Sequence, residues 1–562
     1  MKFLSLHCDF IKFKPLKKAL KSIEELTEKA KKGEEIKEPL VILTAVEKTD
    51  EQNPNIIKQF VDNIADIAKQ VNSKNIVLYP YAHLSPSLSN PSFAQSTLEQ
   101  AEKELTKQKF QVSRAPFGYY KEFELKCKGH PLSELSREIK YNGEVKEDIN
   151  PKQLLREISK SKLDARELKD NDHRILGKQM DLFSFSEVAP GMVFWHNNGL
   201  IIRNKLIEYW RHEHKKAGYQ EISTPQILDK KLWLISGHWE KYKENVFISD
   251  YEKRTFIVKP MNCPGGMLVY KNSPKSYKNL PLRVGELGVV HRQELSGVLA
   301  GLFRVIQFTQ DDAHIFCTEK QLEQEIINIM DLIDKFYKLF GFEYHVELST
   351  RPEKRIGDDK IWDKAEKTLE DVLKKKKMKF KINKGDGAFY GPKIDFHIKD
   401  SLNRTWQCAT IQLDFAMPER FELEYTDEKN QKKQPVMLHR VIYGSLERFM
   451  GILLEHYKGK LPLWISPIQC RVINFTDKNN KACEKLVEEL KSLNIRTDID
   501  LTSEPLQGKI KQAEMEKIPY IIVIGDKEEK SNSLAVRKQG KVTTINREEF
   551  IKQIKKEVEE KI

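Results

Sequence analysis

Three residues able to bind a soft divalent metal, Cys263, His314 and His439, are spread across about 180 positions of a 562-residue chain. That spacing excludes a small metal-nucleated finger, whose ligands come in local pairs. If the three meet, they meet inside one large domain that gathers distant segments. Three protein ligands also leave a coordination position open, as in catalytic and substrate-binding zinc. The same region holds Arg292-x-Glu294 and the string Gly444-Ser445-Leu446-Glu447-Arg448. Arginines gathered in this way suit a nucleoside triphosphate.

Composition narrows the class. Hydrophobic residues make up 39% and charged residues 32%, the balance of a soluble globular protein. The length allows three or four domains. A net charge of +13 fits a polyanionic partner, nucleic acid first; 83 acidic residues beside 96 basic ones also describe a generally charged surface. The seven cysteines are scattered with no CxxC pair, which points to reduced thiols and a cytoplasmic location. No apolar run approaches the roughly 20 residues that span a bilayer. The opening MKFLSLHCDFIKFK is broken by His7, Asp9 and Lys12 and does not read as a signal peptide.

The expected organisation is multidomain α/β. Residues 1–144 mix strands, at Pro39–Val46 and Asn75–Tyr79, with a helix over Ile56–Val71. Residues 145–185 are polar and helix-prone and read as a helical linker. A large domain follows over 186–463. Its Leu200–Ala217 helix is stopped by Gly218, and Gln321–Phe340 is a second long amphipathic helix. The basic run Lys374–Lys377 reads as a solvated helix end. Over 464–562 strands alternate with helices: Arg471–Phe475, Ala482–Leu493, Ile495–Leu501, Pro505–Glu516, Tyr520–Ile524 and a last helix from Arg547.

The order of motifs resembles the class II aminoacyl-tRNA synthetases, and within them the threonyl-tRNA synthetase family. Motif 1 is the helix followed by Gly218-Tyr219-Gln220-Glu221-Ile222-Ser223-Thr224-Pro225. Motif 2 is His291-Arg292-Gln293-Glu294 with Arg304 downstream, and motif 3 runs from Gly444 to Phe449. The match continues through KPMNCPG (259–265), FTQDDAHIF (308–316), AFYGPKIDF (388–396) and WQCATIQLDF (406–415). It covers about two-thirds of the chain. The resemblance implies an antiparallel class II catalytic sheet and ATP-dependent activation of L-threonine followed by transfer to tRNA(Thr). It places Arg292 on the α-phosphate, Glu294 on the nucleotide, Arg304 and Arg448 on the β- and γ-phosphates, and Phe308 on adenine, with Mg²⁺ bridging the phosphates. Lys393 and Gln407 fall at the adenylate. Gln310, Asp312, Tyr390 and Gln412 fall around the amino acid, and His238 at the transfer step. Two residues apart, Arg292 and Glu294 share a face if their segment is a strand.

The resemblance also implies that Cys263, His314 and His439 hold one zinc. The chemistry gives that ion a purpose. Threonine and valine are nearly isosteric, and an apolar pocket separates such pairs only about 10²-fold. Zinc accepts both the amino group and the hydroxyl of threonine, and valine has no hydroxyl. The chain departs from the family at Gly266, where histidine often follows Cys-Pro-Gly; the ligand Cys263 is retained, so coordination is expected to survive.

Serine carries the same two groups as threonine and lacks only a methyl, worth roughly 1–3 kcal/mol. A second sieve is therefore expected. The N-terminus has no HxxxH signature. Residues 1–140 instead resemble the archaeal-type editing domain related to D-aminoacyl-tRNA deacylases, through Tyr79-Pro80-Tyr81-Ala82-His83-Leu84-Ser85 and Arg114-Ala115-Pro116-Phe117-Gly118-Tyr119-Tyr120-Lys121. This implies hydrolysis of seryl-tRNA(Thr), with His83, Tyr120 and Lys121 as the working residues; the alternative is that His83 and Lys121 hold loops or bind acceptor-stem phosphate. The C-terminal segment resembles an anticodon-binding domain through IPYIIVIGDKE (518–528) and Ala535-Val536-Arg537, with Glu528 and Arg537 at the bases. Class II enzymes of this kind pair through motif 1, so a homodimer is expected. The competing readings are a synthetase for serine or proline, against which the metal triad stands, and a silent RNA-binding homologue, against which the intact Arg292, Arg304 and Arg448 stand.

Overall fold

The computed structural model describes residues 1–20, 23, 25–140, 155, 168–400 and 403–561. Apart from Leu155, the expected linker up to residue 167 lies outside the described residues. The chain divides into two compact units, Met1–Pro151 and Lys152–Ile562. Among the described residues no helix is long and apolar enough to cross a membrane.

The first unit is built on one long strand, β1 (Lys2–Lys18). Its buried positions alternate in two stretches, Phe3, Ser5 and His7 and then Ile11, Phe13 and Pro15, and its two edges carry separate ladders. Residues Lys2–His7 pair with β3 (Pro39–Ala45), and Phe10–Phe13 with β2 (Glu34–Lys37). The run Pro39–Ala45 is buried at every position, as expected of an interior strand covered on both faces. It pairs in parallel with β4 (Asn75–Pro80), which pairs in parallel with β5 (Gln111–Arg114). Two more strands, β6 (Tyr119–Cys127) and β7 (Glu134–Glu138), return antiparallel onto β1. Strand alternation sorts the core. Leu40, Ile42, Ile76 and Leu78 face helices α1 (Ile56–Gln70) and α2 (Pro91–Lys107) through Phe60, Ile64 and Leu98. Val41, Leu43, Val77 and Tyr79 face Ile11 and Phe13 on the other side. The seventeen-residue β1 was not expected from the sequence: its alternation is broken between His7 and Ile11, where the register also shifts.

In the second unit an eight-stranded sheet carries the site. Its strands are β8 (Gln220–Glu221), β9 (Leu282–His291), β10 (Gln307–Cys317), β11 (Glu343–Ser349), β12 (Phe380–Asn383), β13 (Lys393–Lys399), β14 (Thr405–Asp414) and β15 (Val436–Val441). They lie in the order β8-β9-β10-β15-β14-β13-β11-β12, antiparallel throughout except at the two outermost pairings. Helices α3 (Asn197–Lys216) and α5 (Glu319–Leu339) sit close to their expected positions, and Gly218 after α3 has φ of +75°, a left-handed cap that glycine adopts at least cost. They bury Leu206, Trp210, Ile326, Ile333 and Phe336 in the core together with Ile394, Ile411 and Leu438 of the sheet. The short helix α4 (Cys263–Lys271) lies between them in sequence. Helix α6 (Asp359–Lys375) ends in the basic run, whose Lys374 and Lys376 are paired with Glu370 and Asp331.

The C-terminal segment holds a five-stranded sheet, β16 (Cys470–Asn474), β17 (Thr497–Asp500), β18 (Tyr520–Ile524), β19 (Ser533–Lys538) and β20 (Lys541–Asn546), ordered β17-β16-β18-β19-β20. The hairpin β19–β20 was not expected. Its outer strand is polar and exposed, so it offers no apolar alternation to read.

Candidate functional site

The sheet register gathers what the sequence scatters. His314 on β10 pairs with His439 on β15, His439 with Gln412 on β14, and Gln412 with Lys393 on β13. Four of the expected site residues thus form one row across four strands, spaced about 4.8 Å apart by backbone hydrogen bonding alone. Cys263, the first residue of α4, completes the metal set from outside the sheet. The candidate donor atoms of Cys263, His314 and His439 all lie within 4.8 Å of one another, and all three residues are buried.

The donors fit a zinc-class ion. His314 Nε2 is buried with no hydrogen-bond partner, a state that costs about 1–3 kcal/mol when nothing fills it. His439 Nε2 lies 2.8 Å from the Asp414 carboxylate. That leaves Nδ1 to ligate, and a carboxylate behind a histidine is how metal sites fix the ring. One thiol with two imidazoles is a set suited to zinc. Burial pushes the Cys263 thiol well above its ordinary range and holds His314 well below its own. A bound divalent cation reverses that preference for the thiol. At Gly266 an added Cβ would come within 3.3 Å of His314 Nδ1, so the glycine leaves the ring room.

Around this set stand the expected amino-acid contacts. The Asp312 carboxylate lies 3.8 Å from His314 Nε2 and accepts from Asn262 Nδ2 at 3.3 Å; burial raises its pKa. Tyr390 packs its ring 5.2 Å from that of His439. Gln412 is held by the Gly391 carbonyl at 3.4 Å. His238 is buried, its Nδ1 2.8 Å from Ser236 Oγ and its Nε2 3.9 Å from Cys263 Sγ. Burial, with the charge of His439 next, pushes its pKa down to about 3.

Beside the metal set is a cleft of about 320 Å³ lined by Arg292, Arg304, Phe308, Gln310, Gln407 and Arg448, with Glu294 at its wall. Here the structure corrects one expectation. Strand β9 ends at His291, so Arg292 and Glu294 are in a loop and share no strand face. Glu294 turns to pair with Arg304 at 2.9 Å, while Arg292 donates from Nε to the Pro260 carbonyl and lies 5.2 Å from the Phe308 ring. Arg448 sits in the first turn of α7 (Leu446–His456), capped by Ser445, and donates from Nε to the Phe303 carbonyl. A cation added to a helix N-terminus makes an anion site. Lys393 and Gln407 do not stand alone: both donate to Asp395, at 2.8 and 2.6 Å.

Sequence reasoning missed the residues behind these. Asp414 and Asp395 lie within the strings WQCATIQLDF and AFYGPKIDF, and acid residues inside otherwise apolar strands were the available signal. Asp311 was also missed. It is fully buried, accepts from the Ile442 and Gly444 amides at 2.9 Å each, and so fixes the start of motif 3. Burial raises its pKa to about 6. Asp311→Asn turns an NH₂ group on one of those amides. The expected cost is about 1–3 kcal/mol, read as a lower denaturation midpoint.

In the first unit a cavity of about 510 Å³ is lined by Tyr79, Tyr81, His83, Phe117, Tyr120 and Lys121, among others. The Lys121 ammonium donates to the carbonyls of Pro116 and Tyr119 at 2.9 and 3.1 Å and lies 5.0 Å from the Tyr79 ring. Burial lowers its pKa to about 8. His83 and Tyr120 are exposed at the rim. In the C-terminal segment Arg537 pairs with Glu514 at 2.9 Å beside a cavity of about 600 Å³. The Glu528 carboxylate accepts from the Gly525 amide and so caps its own helix start.

Three family models match the chain. Residues 1–139 match the Archaea-specific editing domain of threonyl-tRNA synthetase. Residues 242–457 match the tRNA synthetase class II core domain (G, H, P, S and T), and 469–557 the anticodon binding domain. The threonine–tRNA ligase of Desulforamulus reducens is 54% identical over 397 residues, 70% of this chain and 62% of its own. That of Clostridium botulinum (strain Kyoto / Type A2) is 54% identical over 409 residues, 72% of this chain and 64% of its own. The chain therefore spans less than two thirds of the length of these curated relatives. A crystal structure of the RNA binding domain of threonyl-tRNA synthetase from Cryptosporidium parvum Iowa II superposes with a TM-score of 0.67 at 39% identity, over 68% of this chain and 98% of that one. Sharing that level of identity along almost the whole of a solved relative, with the class II core matched besides, the chain belongs to the threonyl-tRNA synthetase family.

Proposed function

We propose that this protein is a threonine–tRNA ligase that activates L-threonine with ATP, transfers it to tRNA(Thr), and hydrolyses seryl-tRNA(Thr) in its first unit. The observation that carries the reading is the cross-strand row, which sets a Cys/His/His metal set directly beside an arginine-lined cleft. Zinc bound by Cys263, His314 and His439 would supply a Lewis acid for the amino group and hydroxyl of threonine. Asp312 would hold the ammonium, with Tyr390, Gln310 and Gln412 closing the pocket. Arg292 would meet the α-phosphate as charge grows on its oxygens, and Arg304 and Arg448 the outer phosphates with Mg²⁺. Phe308 and Glu294 would position adenine and nucleotide. Lys393 and Gln407, steadied by Asp395, would reach the adenylate, and His238 would serve transfer to tRNA.

Hydrolysis in the first unit would use the half-buried Lys121 to orient the ester carbonyl, with His83 and Tyr120 toward the terminal ribose. Lys121→Met is expected to abolish seryl-tRNA(Thr) hydrolysis at pH 7 and to raise the thermal midpoint. The lysine pKa is lowered on folding, so the charged amine opposes folding fully below about pH 8. That penalty fades as pH rises toward the unfolded value of 10.5. Removing it gains on the order of 2 kcal/mol. Retained hydrolysis would contradict the assignment.

Arg537 and Glu528 would read anticodon bases. Arg537→Ala is expected to raise KM for tRNA several-fold while leaving threonine activation unchanged; equal losses in both assays would remove the role. A second copy would join at motif 1, whose strand β8 is an exposed sheet edge. The reading as a whole is tested by charging tRNA(Thr) with labelled threonine. No charging by folded, metal-replete protein would refute it.

A further inference from the structure

We propose that His345, Glu347 and His397 form a second divalent transition-metal site on the catalytic sheet, separate from Cys263, His314 and His439. His345 and His397 are direct cross-strand partners on β11 and β13. Glu347 lies two residues along β11 from His345, and so on the same face. The donor atoms of all three lie within 4.8 Å of one another.

Three features distinguish this group from an ordinary surface cluster. The two imidazoles lie parallel, 4.9 Å between centroids and 11° between planes, so their edges point the same way. His345 Nε2 lies 3.6 Å from Glu347 Oε1, and His397 Nε2 lies 3.6 Å from Oε2. Both distances are too long for hydrogen bonds. They are close to the separation of about 3.3 Å between donors that each sit about 2.0 Å from one tetrahedral ion. Finally, His397 Nε2 is buried and makes no hydrogen bond. An ion bridging the three would satisfy that nitrogen. The other contact of the Glu347 carboxylate is Asn383 Nδ2 on β12, at 3.2 Å, which fixes it from behind.

The chemistry selects the ion. Two imidazoles and one carboxylate suit zinc, iron(II), cobalt or nickel, whereas calcium and magnesium prefer oxygen alone. The group is also more open than the triad: the His345 side chain is 45% exposed, so the ion would keep water ligands and bind more weakly. It would staple β11 to β13 on the face that carries Lys393 and Asp395.

The test uses the full chain titrated with Co²⁺ alone. Wild type should take up two ions, a tight one with a thiolate-to-cobalt absorption band and a weaker one without it. His345→Ala with His397→Ala should lose the weaker ion, keep the band and keep threonine activation at low metal. Glu347→Gln should weaken the second ion at least tenfold, and being nearly isosteric it guards against a folding defect. Cys263→Ser should lose the band and keep the weaker ion, which separates this site from the first. A single ion in wild type, or a second ion unaffected by the His345 and His397 changes, would overturn the proposal.

Discussion

Arg292→Ala is expected to lower threonine-dependent ATP–pyrophosphate exchange by about 10²–10³-fold, the loss typical of removing one preorganised group aimed at developing charge. The guanidinium is tied at one nitrogen to the Pro260 carbonyl and lies 5.2 Å from the Phe308 ring, so its direction is set before nucleotide arrives. The side chain lines the cleft that Arg304 and Arg448 share. Arg292→Lys should recover little of the loss, because an ammonium cannot both keep the carbonyl contact and present a planar fork to phosphate. Parallel loss of kcat and kcat/KM, with unchanged thermal stability, marks a group acting on the transition state. A loss confined to KM for ATP would instead make Arg292 a ground-state binding residue.

Cys263→Ser is expected to remove the tightly bound metal and to lower threonine activation by more than 10²-fold. The argument rests on what surrounds the thiol. Burial first, and then the Asp312 and Asp414 carboxylates, keep it protonated, so a bound cation is what makes the thiolate the favoured form. Serine keeps the volume but replaces a soft ligand by a hydroxyl that stays protonated at neutral pH. Without the ion, His314 Nε2 remains a buried group with no partner. The pocket then distinguishes threonine from valine by shape alone, about 10²-fold or less. Metal content by elemental analysis and the threonine-to-valine activation ratio check the two halves independently. A variant that keeps its metal and its ratio would show that Cys263 does not ligate.

Much of the fold was legible because its strongest signals are local. Helices at Ile56–Gln70, Glu319–Leu339 and Asn480–Ser492 carry apolar residues at helical spacing, and each lies within a few residues of its expected bounds. The run Pro39–Ala45, apolar but for Thr44 and rich in β-branched residues, read as an interior strand and is one. What escaped were elements whose reason lies elsewhere in the chain. Strand β1 is held by four partner strands despite its charges, and the polar β20 exists because β19 offers it an edge. For the site, the motif strings gave residue types, but positions 314, 439, 412 and 393 have no common spacing. Only the register turns them into a row. The same limit explains Arg292-x-Glu294: a two-residue interval describes a shared face only within a strand, and the strand ends at His291. Supporting acids such as Asp395, Asp414 and Asp311 stood in plain view inside the motif strings, but their roles did not, because a buried carboxylate is defined by what donates to it.

The central claim is that a metal held by Cys263, His314 and His439 makes the activation site choose threonine. Amino-acid-dependent ATP–pyrophosphate exchange with threonine, serine and valine, before and after chelation and again after zinc is restored, tests it most directly. The account predicts strong exchange with threonine, weaker exchange with serine, almost none with valine, loss on chelation, and recovery with zinc. Exchange with threonine that survives complete removal of the tight metal, or valine activated as well as threonine by metal-replete protein, would contradict it.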